Sequence, residues 1–216
     1  GVIFVVDNCF ATPYLQQPTK WGADIVIHSA TKYMDGQGRV LGGIVVGRTD
    51  LVREIYLFNR LTGAAMSPFN AWVLSKSLET LSLRMERHCA NALFVAEQLQ
   101  NAPNVDWVSY PFLPTHPQHA LAKRQMRAGG GIVAVQIAGG YEGGKRFLDR
   151  LKMIRISPNL GDARSIATHP ASSTHCKLSE AERQRVGISQ GLVRLSIGLE
   201  APQDILSDLL QALHEA

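Results

Sequence analysis

The stretch that most constrains this chain runs from Gly22 to Gly43. Ile25 to His28 is a short apolar run with β-branched residues, the pattern of a buried strand. It ends in Ser29-Ala-Thr-Lys32, after which Gly36, Gly38, Gly42 and Gly43 break any helix before a second β-branched run at Ile44 to Val46. A unit that delivers two hydroxyls and an amine to a strand end suits an α/β sheet, whose ligands bind at such edges. Ser29 and Thr31 either donate to phosphate oxygens or cap a helix. Lys32 is either an amine nucleophile that forms a Schiff base with a carbonyl or a solvated surface charge.

Upstream, Val2 to Val6 reads as another continuous apolar strand with Asp7 at its end. It begins with no polar lead-in, no initiator Met and no basic signal-like region, so the chain is expected to be the C-terminal part of a longer protein. Asp7 is either a buried carboxylate facing a cationic ring nitrogen or the start of an Asx turn or cap. Thr12, Pro13, Pro18 and Gly22 mark an irregular connection, with Trp21 expected against the sheet.

A helix is expected from Thr49 to Asn59, capped by Thr49 or Asp50, and Pro68 after Ser67 starts the next. From Phe69 to about Gln100 no Pro or Gly intervenes, and Leu74, Leu78, Leu81, Met85, His88, Ala92 and Val95 recur at helical spacing. This predicts one long helix or two nearly continuous ones bridging two domains, residues 1–78 and 79–216, with Met85 and His88 as core or boundary residues. Beyond Pro103 strands at 105–110, 132–137, 153–156 and 192–197 alternate with helices at 119–126, 141–152 and 202–213. That is the texture of a smaller α+β domain whose sheet is covered on one face.

Composition closes off several classes. The 22 basic residues are scattered and the net charge is only +4, so a nucleic-acid partner is not expected. No apolar stretch nears the roughly 20 residues of a membrane span. Cys9, Cys89 and Cys176 form an odd, sparse set that fits reduced thiols in the cytoplasm. His116, His119, His169 and His175 match no metal-ligand spacing, and Gly129 to Gly131 precede a strand where a dinucleotide fingerprint would follow one. Arg194, inside the apolar run Leu192 to Ile197, must be paired: with a substrate carboxylate held bidentately, or with an acid such as Glu200.

Asp7, Ser29, Thr31, Lys32 and Arg194 together answer the needs of one cofactor, pyridoxal 5'-phosphate. The lysine would hold its aldehyde, the hydroxyls its phosphate, the Asp its ring nitrogen, and the Arg a substrate carboxylate.

The sequence also resembles the cystathionine γ-synthase-like enzymes of Cys and Met metabolism, within the fold-type I pyridoxal-phosphate enzymes. The resemblance runs over nearly the whole chain. It is carried by Val6-Asp-Asn, Gly22-Ala-Asp through His28-Ser-Ala-Thr-Lys-Tyr, Met66-Ser-Pro-Phe-Asn-Ala-Trp, Arg84-Met-Glu-Arg-His-Cys, His169-Pro-Ala-Ser-Ser-Thr-His and Arg194-Leu-Ser-Ile-Gly-Leu-Glu.

The resemblance implies an α/β fold comprising part of a large parallel-sheet domain and a small C-terminal domain. It makes Lys32 the Schiff-base lysine, Asp7 the ring-nitrogen partner, Ser29 and Thr31 phosphate ligands, and Arg194 the carboxylate anchor. It further implies a homotetramer whose subunits share active sites. Asp35-Gly-Gln-Gly-Arg-Val-Leu-Gly-Gly and Ser157-Pro-Asn-Leu-Gly-Asp-Ala-Arg look most like the O-succinylhomoserine sulfhydrylase branch, which would exchange succinate for sulfide to give homocysteine in methionine biosynthesis. Asn159 stands where many relatives have a Ser that contacts substrate, and the resemblance implies that it binds substrate in turn, through its backbone; Cys9 stands where a Thr is common. Met66-Ser-Pro-Phe-Asn and Arg84-Met-Glu-Arg-His-Cys are nearly as close to methionine γ-lyases, and a cystathionine-forming activity is the other enzymatic alternative. The missing half would carry further cofactor contacts, so these residues alone are expected to form an incomplete site. The non-enzymatic alternative is an inactive fragment that keeps the fold.

Overall fold

A computed structural model describes residues 1–214. It contains two sheets. The first takes β1 (Val5–Asp7), β2 (Ile25–Ser29) and β3 (Gly43–Gly47) in that order, β1 parallel and β3 antiparallel to β2. A four-residue helix α1 (Thr12–Leu15) lies between β1 and β2. Expected over Val2 to Val6, β1 is shorter and shifted, because pairing with β2 begins only at Val5 opposite Ile25. Among the described residues β1 is an edge strand, and Phe4, Val5 and Asp7 are exposed. Trp21 is not buried against the sheet. It sits in a short 3-10 turn and is exposed.

Helix α2 (Thr49–Thr62) begins one residue earlier than its expected caps allow: Arg48 occupies the cap position, and its guanidinium pairs with Asp50 and Asp24. Helix α3 (Pro68–Leu78) starts as the Ser67-Pro68 pair predicts, with the Ser67 hydroxyl accepting from Asn70 N at 3.2 Å. The proline-free stretch is two helices, because the chain leaves helical geometry at Thr80 (φ −108°, ψ 5°) before α4 (Leu81–Leu99). Met85 and His88 are fully buried on α4.

The second sheet comprises β4 (Val105–Ser109), β5 (Ile132–Ile137), β6 (Arg155–Ile156), β7 (Ile166–Thr168) and β8 (Leu192–Ser196), arranged β4-β5-β8-β7-β6. It is antiparallel except for β6 with β7. The helices interspersed with it are α5 (His119–Gln125), α6 (Gly140–Arg150), α7 (Glu180–Arg185) and α8 (Pro202–His214). Alternation along the strands sorts its two faces. Val133, Val135 and Ile137 of β5 and Val193 and Leu195 of β8 join one core with Ala92, Val95 and Leu99 of α4, Phe147 of α6 and Leu209 and Leu213 of α8. Arg194 and Ser196 therefore stand on the opposite face, away from that core. Two short elements, β7 and α7, were not expected. Helix α7 had left a signal, since Ser179 and Glu182 form a reciprocal capping box.

Candidate active site

The end of β2 does not continue into an ordinary helix. Ala30–Met34 forms one wide turn in which Asp35 N donates to Ala30 O at 3.0 Å, a π-type bond, and Lys32 itself departs from helical dihedrals (φ −89°, ψ −130°). Gly42 braces the start of this turn: Ala30 N donates to Gly42 O at 2.8 Å, and Gly42 N donates to the Thr31 hydroxyl at 3.1 Å. The Thr31 hydroxyl also donates to Gly42 O at 3.4 Å, so the spacing of hydroxyl and glycine reflects local bracing. Lys32 is half-buried, and its amine donates to Asn159 Oδ1 at 2.5 Å.

Asn159 also connects Lys32 to the second sheet. The Arg194 guanidinium donates to Pro158 O at 2.9 Å and to Asn159 O at 3.0 Å. Arg194 is not paired with Glu200, whose carboxylate instead accepts from Ser165 N and the Ser165 hydroxyl at 2.6 and 2.9 Å. Burial lowers the Arg194 pKa from its ordinary value, and its Nε is buried with no hydrogen-bond partner. The loop between the two residues is closed tightly by Gly161. This residue has φ +77°, its N–H donates to the Ser196 hydroxyl at 2.9 Å, and a Cβ there would lie 2.7 Å from Tyr33 N and 3.0 Å from Lys32 C. Lys32, Asn159 and Arg194 are thereby brought together from distant parts of the chain.

Of the two readings of Asp7, a buried carboxylate or an Asx turn, the structure shows the second. Asp7 is exposed at the end of the edge strand, and its Oδ1 accepts from Cys9 N at 3.0 Å, an Asx turn. It borders a cavity of about 700 Å³ lined also by Cys9, Phe10, Ser109, His116 and Gly130, which contains neither Lys32 nor Arg194. Ser29 and Thr31 are half-buried beside the wide turn. His169, one of the four histidines weighed as ligands, is buried between the Ser172 hydroxyl (2.9 Å) and Gln190 O (2.7 Å). No group of three or more potential metal-binding side chains occurs among the described residues.

The donor set suits pyridoxal phosphate chemically. An amine is available for an aldehyde, hydroxyls for a phosphate and a carboxylate for a ring nitrogen, while the orphaned Arg194 Nε offers a buried donor to a carboxylate. Sequence reasoning missed the residues that hold the wide turn itself. Asp35, fully buried, is clamped by Arg39, and Arg84 donates to the carbonyls of Tyr33 and Met34. A signal existed: Arg84 and Asn91 share helical spacing with His88 on the buried stripe of α4.

Comparison with known proteins identifies the family and the fold. The family described as Cys/Met metabolism PLP-dependent enzyme matches residues 1–214. The chain is 48% identical over 213 residues to the O-succinylhomoserine sulfhydrylase of Pseudomonas aeruginosa, covering 99% of this chain and 53% of the relative. It is 49% identical over 215 residues to the L-methionine gamma-lyase of Pseudomonas putida, covering 99% and 54%. Among solved structures, the cystathionine gamma synthase of Xanthomonas oryzae pv. oryzae, crystallised with aminoacrylate and cysteine, superposes with a TM-score of 0.95 at 40% identity, covering 99% of this chain and 56% of that one. The chain thus spans about half the length of the curated relatives it matches. With its fold and the match over residues 1–214 in agreement, the chain belongs to the Cys/Met metabolism PLP-dependent enzyme family.

Proposed function

We propose that this chain contributes the lysine and the carboxylate anchor to an enzyme that performs γ-replacement on O-succinylhomoserine, with sulfide as nucleophile and homocysteine and succinate as products. The observation that carries the proposal is the meeting of Lys32 and Arg194 on one residue, Asn159. A substrate amino group near Lys32 and a carboxylate gripped by Arg194 are the two ends of one amino acid. The sulfhydrylase branch is supported by the 48% identity to the Pseudomonas aeruginosa relative and by the Asp35–Gly43 and Ser157–Arg164 stretches.

In this reading Lys32 would hold the cofactor aldehyde, Ser29 and Thr31 would donate to its phosphate, and the Asp7 carboxylate would serve its ring nitrogen. When bound, the cofactor supplies an electron sink for the charge left at the substrate α-carbon. Arg194 fixes the carboxylate so that the α-proton faces the Lys32 amine, which accepts it as general base. Asn159 Oδ1 receives that amine whenever it is free, which keeps it near the reacting carbon. Succinate leaves from the γ-carbon, and sulfide takes its place.

A second reading, elimination to a 2-oxo acid and ammonia, is favoured by the 49% identity to the Pseudomonas putida lyase. Cystathionine formation from cysteine is the third use of the same site. The assembly we propose is a homotetramer with shared sites, supported by the exposed Tyr56, Phe58 and Leu61 on α2 and Phe69 and Trp72 on α3. A cytoplasmic location is supported by three unpaired cysteines. We also propose the division into residues 1–78 and 79–216, with the small domain built on the second sheet.

Product analysis with sulfide, with cysteine and with neither separates the readings. Homocysteine and succinate in the sulfide arm support replacement, while 2-oxo acid and ammonia in every arm would overturn it in favour of the lyase. Lys32→Ala is expected to abolish both turnover and the borohydride-fixed phosphopyridoxyl adduct. Turnover retained by Lys32→Ala would remove the lysine from the mechanism.

A further inference from the structure

Lys32 and Arg194 belong to different sheets, yet the chemistry proposed above needs their spacing held to a fraction of an ångström. The 158–161 loop joins them on one side, and one helix touches both neighbourhoods on another. On α4, Arg84, His88 and Asn91 follow at i, i+4 and i+7, so they line one face, and all three are buried.

Arg84 spends its guanidinium on four acceptors. These are Tyr33 O at 2.5 Å and Met34 O at 3.1 Å, both on the Lys32 turn, with Ser77 O at 2.9 Å and the Thr80 hydroxyl at 3.2 Å. The two turn carbonyls lie at the end of a π-type turn, where no following helix supplies N–H donors, and Arg84 takes that place. Gly36 (φ +71°) leaves the room required, since a Cβ there would lie 2.2 Å from Arg84 Nη1.

At the other end, the His88 ring meets Ile197 O at 2.7 Å, and the Asn91 amide donates to Gly198 O at 3.0 Å and Glu200 O at 2.9 Å. These acceptors follow directly on β8, whose Arg194 lies three residues before Ile197. A carbonyl can only accept, so His88 Nδ1 carries the proton and Nε2 is bare, in keeping with its lack of a partner. Burial lowers the pKa of both His88 and Arg84.

We propose that α4 is a rigid gauge that sets the separation of Lys32 from Arg194 across about 10 Å of helix, seven residues at 1.5 Å each. Arg84 is the positioning residue at the lysine end, and His88 and Asn91 are those at the arginine end. The inference rests on the assignment of Lys32 and Arg194 made above. It predicts that damage at the two ends has different consequences, which a purely structural role for α4 would not produce.

The test uses the holoenzyme. Wild type is first reduced with borohydride to locate the adduct. Arg84→Ala is expected to raise the cofactor Kd about tenfold or more, since two charge-assisted bonds to the lysine turn are lost, and to shift the visible absorption of the unreduced cofactor bound to Lys32. Millimolar guanidinium should restore both. Asn91→Leu should leave the cofactor Kd and the absorption unchanged within about twofold, yet raise the KM for the amino-acid substrate severalfold.

Should Arg84→Ala fail to fold, Thr80→Val, which removes the Nε acceptor together with the hydroxyl's own bond to Ser77 O but leaves both bonds to the lysine-turn carbonyls, should weaken cofactor binding two- to threefold in the same direction. Unchanged Kd and absorption in the Arg84 variant, or in Thr80→Val where that variant stands in for it, would overturn the gauge. So would identical losses from both ends, or no rescue by guanidinium. If wild type itself carries no adduct on Lys32, the functional reading fails first and the gauge with it, whereas a wild-type adduct with indifferent variants refutes the gauge alone.

Discussion

Gly161→Ala tests whether the loop that carries Asn159 is seated on the lysine turn as tightly as the structure has it. The substitution brings two costs. The first is conformational: φ is +77°, a region that charges an L-residue roughly 1–2 kcal/mol. The second is steric, because the new Cβ would lie 2.7 Å from Tyr33 N and 3.0 Å from Lys32 C, both backbone atoms that move only with the turn. Overpacking of this kind costs roughly 1–3 kcal/mol.

Gly63, the residue that ends α2, separates the two contributions. It has the same φ of +77° but nothing within 4 Å of its would-be Cβ, so Gly63→Ala reports the conformational cost alone. The expected result in denaturant unfolding is therefore a loss for Gly161→Ala that exceeds the loss for Gly63→Ala by about 1–3 kcal/mol. In thermal melts each kcal/mol lowers Tm by about 2–4 °C at this chain length. Borohydride trapping should also show less Lys32 adduct in Gly161→Ala, and undiminished adduct in Gly63→Ala. Equal destabilisation of the two variants, or a Gly161→Ala protein that traps the cofactor as wild type does, would refute the seating of the loop on Lys32.

Other outcomes follow from particular contacts. His88, fully buried, has its pKa pushed down to about 4, chiefly by burial, so below pH 6.5 the unfolded chain binds a proton that the folded chain refuses. Stability must then fall as pH drops from 6.5 toward 4, by about 2 kcal/mol between pH 7 and pH 5. Denaturant midpoints at the two pH values should show this component, and His88→Asn, which keeps a donor toward Ile197 O, should remove it. Asp208 accepts from Lys152 N, Met153 N and Ile154 N at 2.9, 3.0 and 2.9 Å, so Asp208→Ala strands three backbone donors and should cost about 3 kcal/mol or more in unfolding experiments, with Asp208→Asn losing less. Arg194→Lys should reduce kcat/KM about a hundredfold while leaving the Lys32 adduct in place, since a lysine offers no planar fork to a carboxylate.

The amino-acid order alone was enough to single out the residues on which the proposed site rests. Ser29-Ala-Thr-Lys32 after a β-branched run, and a lone Arg194 inside another, are costly placements unless something binds them, and the sequence reveals that cost directly. Strand and helix positions beyond Pro103 were legible for the same reason: period-two and period-3.6 burial is written into residue order. The α7 capping box is equally readable, in Ser179 and Glu182 three residues apart. Short pieces without periodicity, such as β7, were not legible, because three residues carry no pattern.

Tertiary structure decided everything that depends on who meets whom. That Arg194 spends two hydrogen bonds on the Pro158 and Asn159 carbonyls and none on Glu200, that Lys32 rests on Asn159, and that Asp7 is an exposed Asx turn are matters of relative placement between segments far apart in the chain. Arg84 makes the division plain. In the sequence it is one more arginine on a helix. Only the folded chain brings its guanidinium to the two carbonyls that a π-type turn leaves without donors, because a backbone group's partner is fixed by three-dimensional proximity and not by its own residue type.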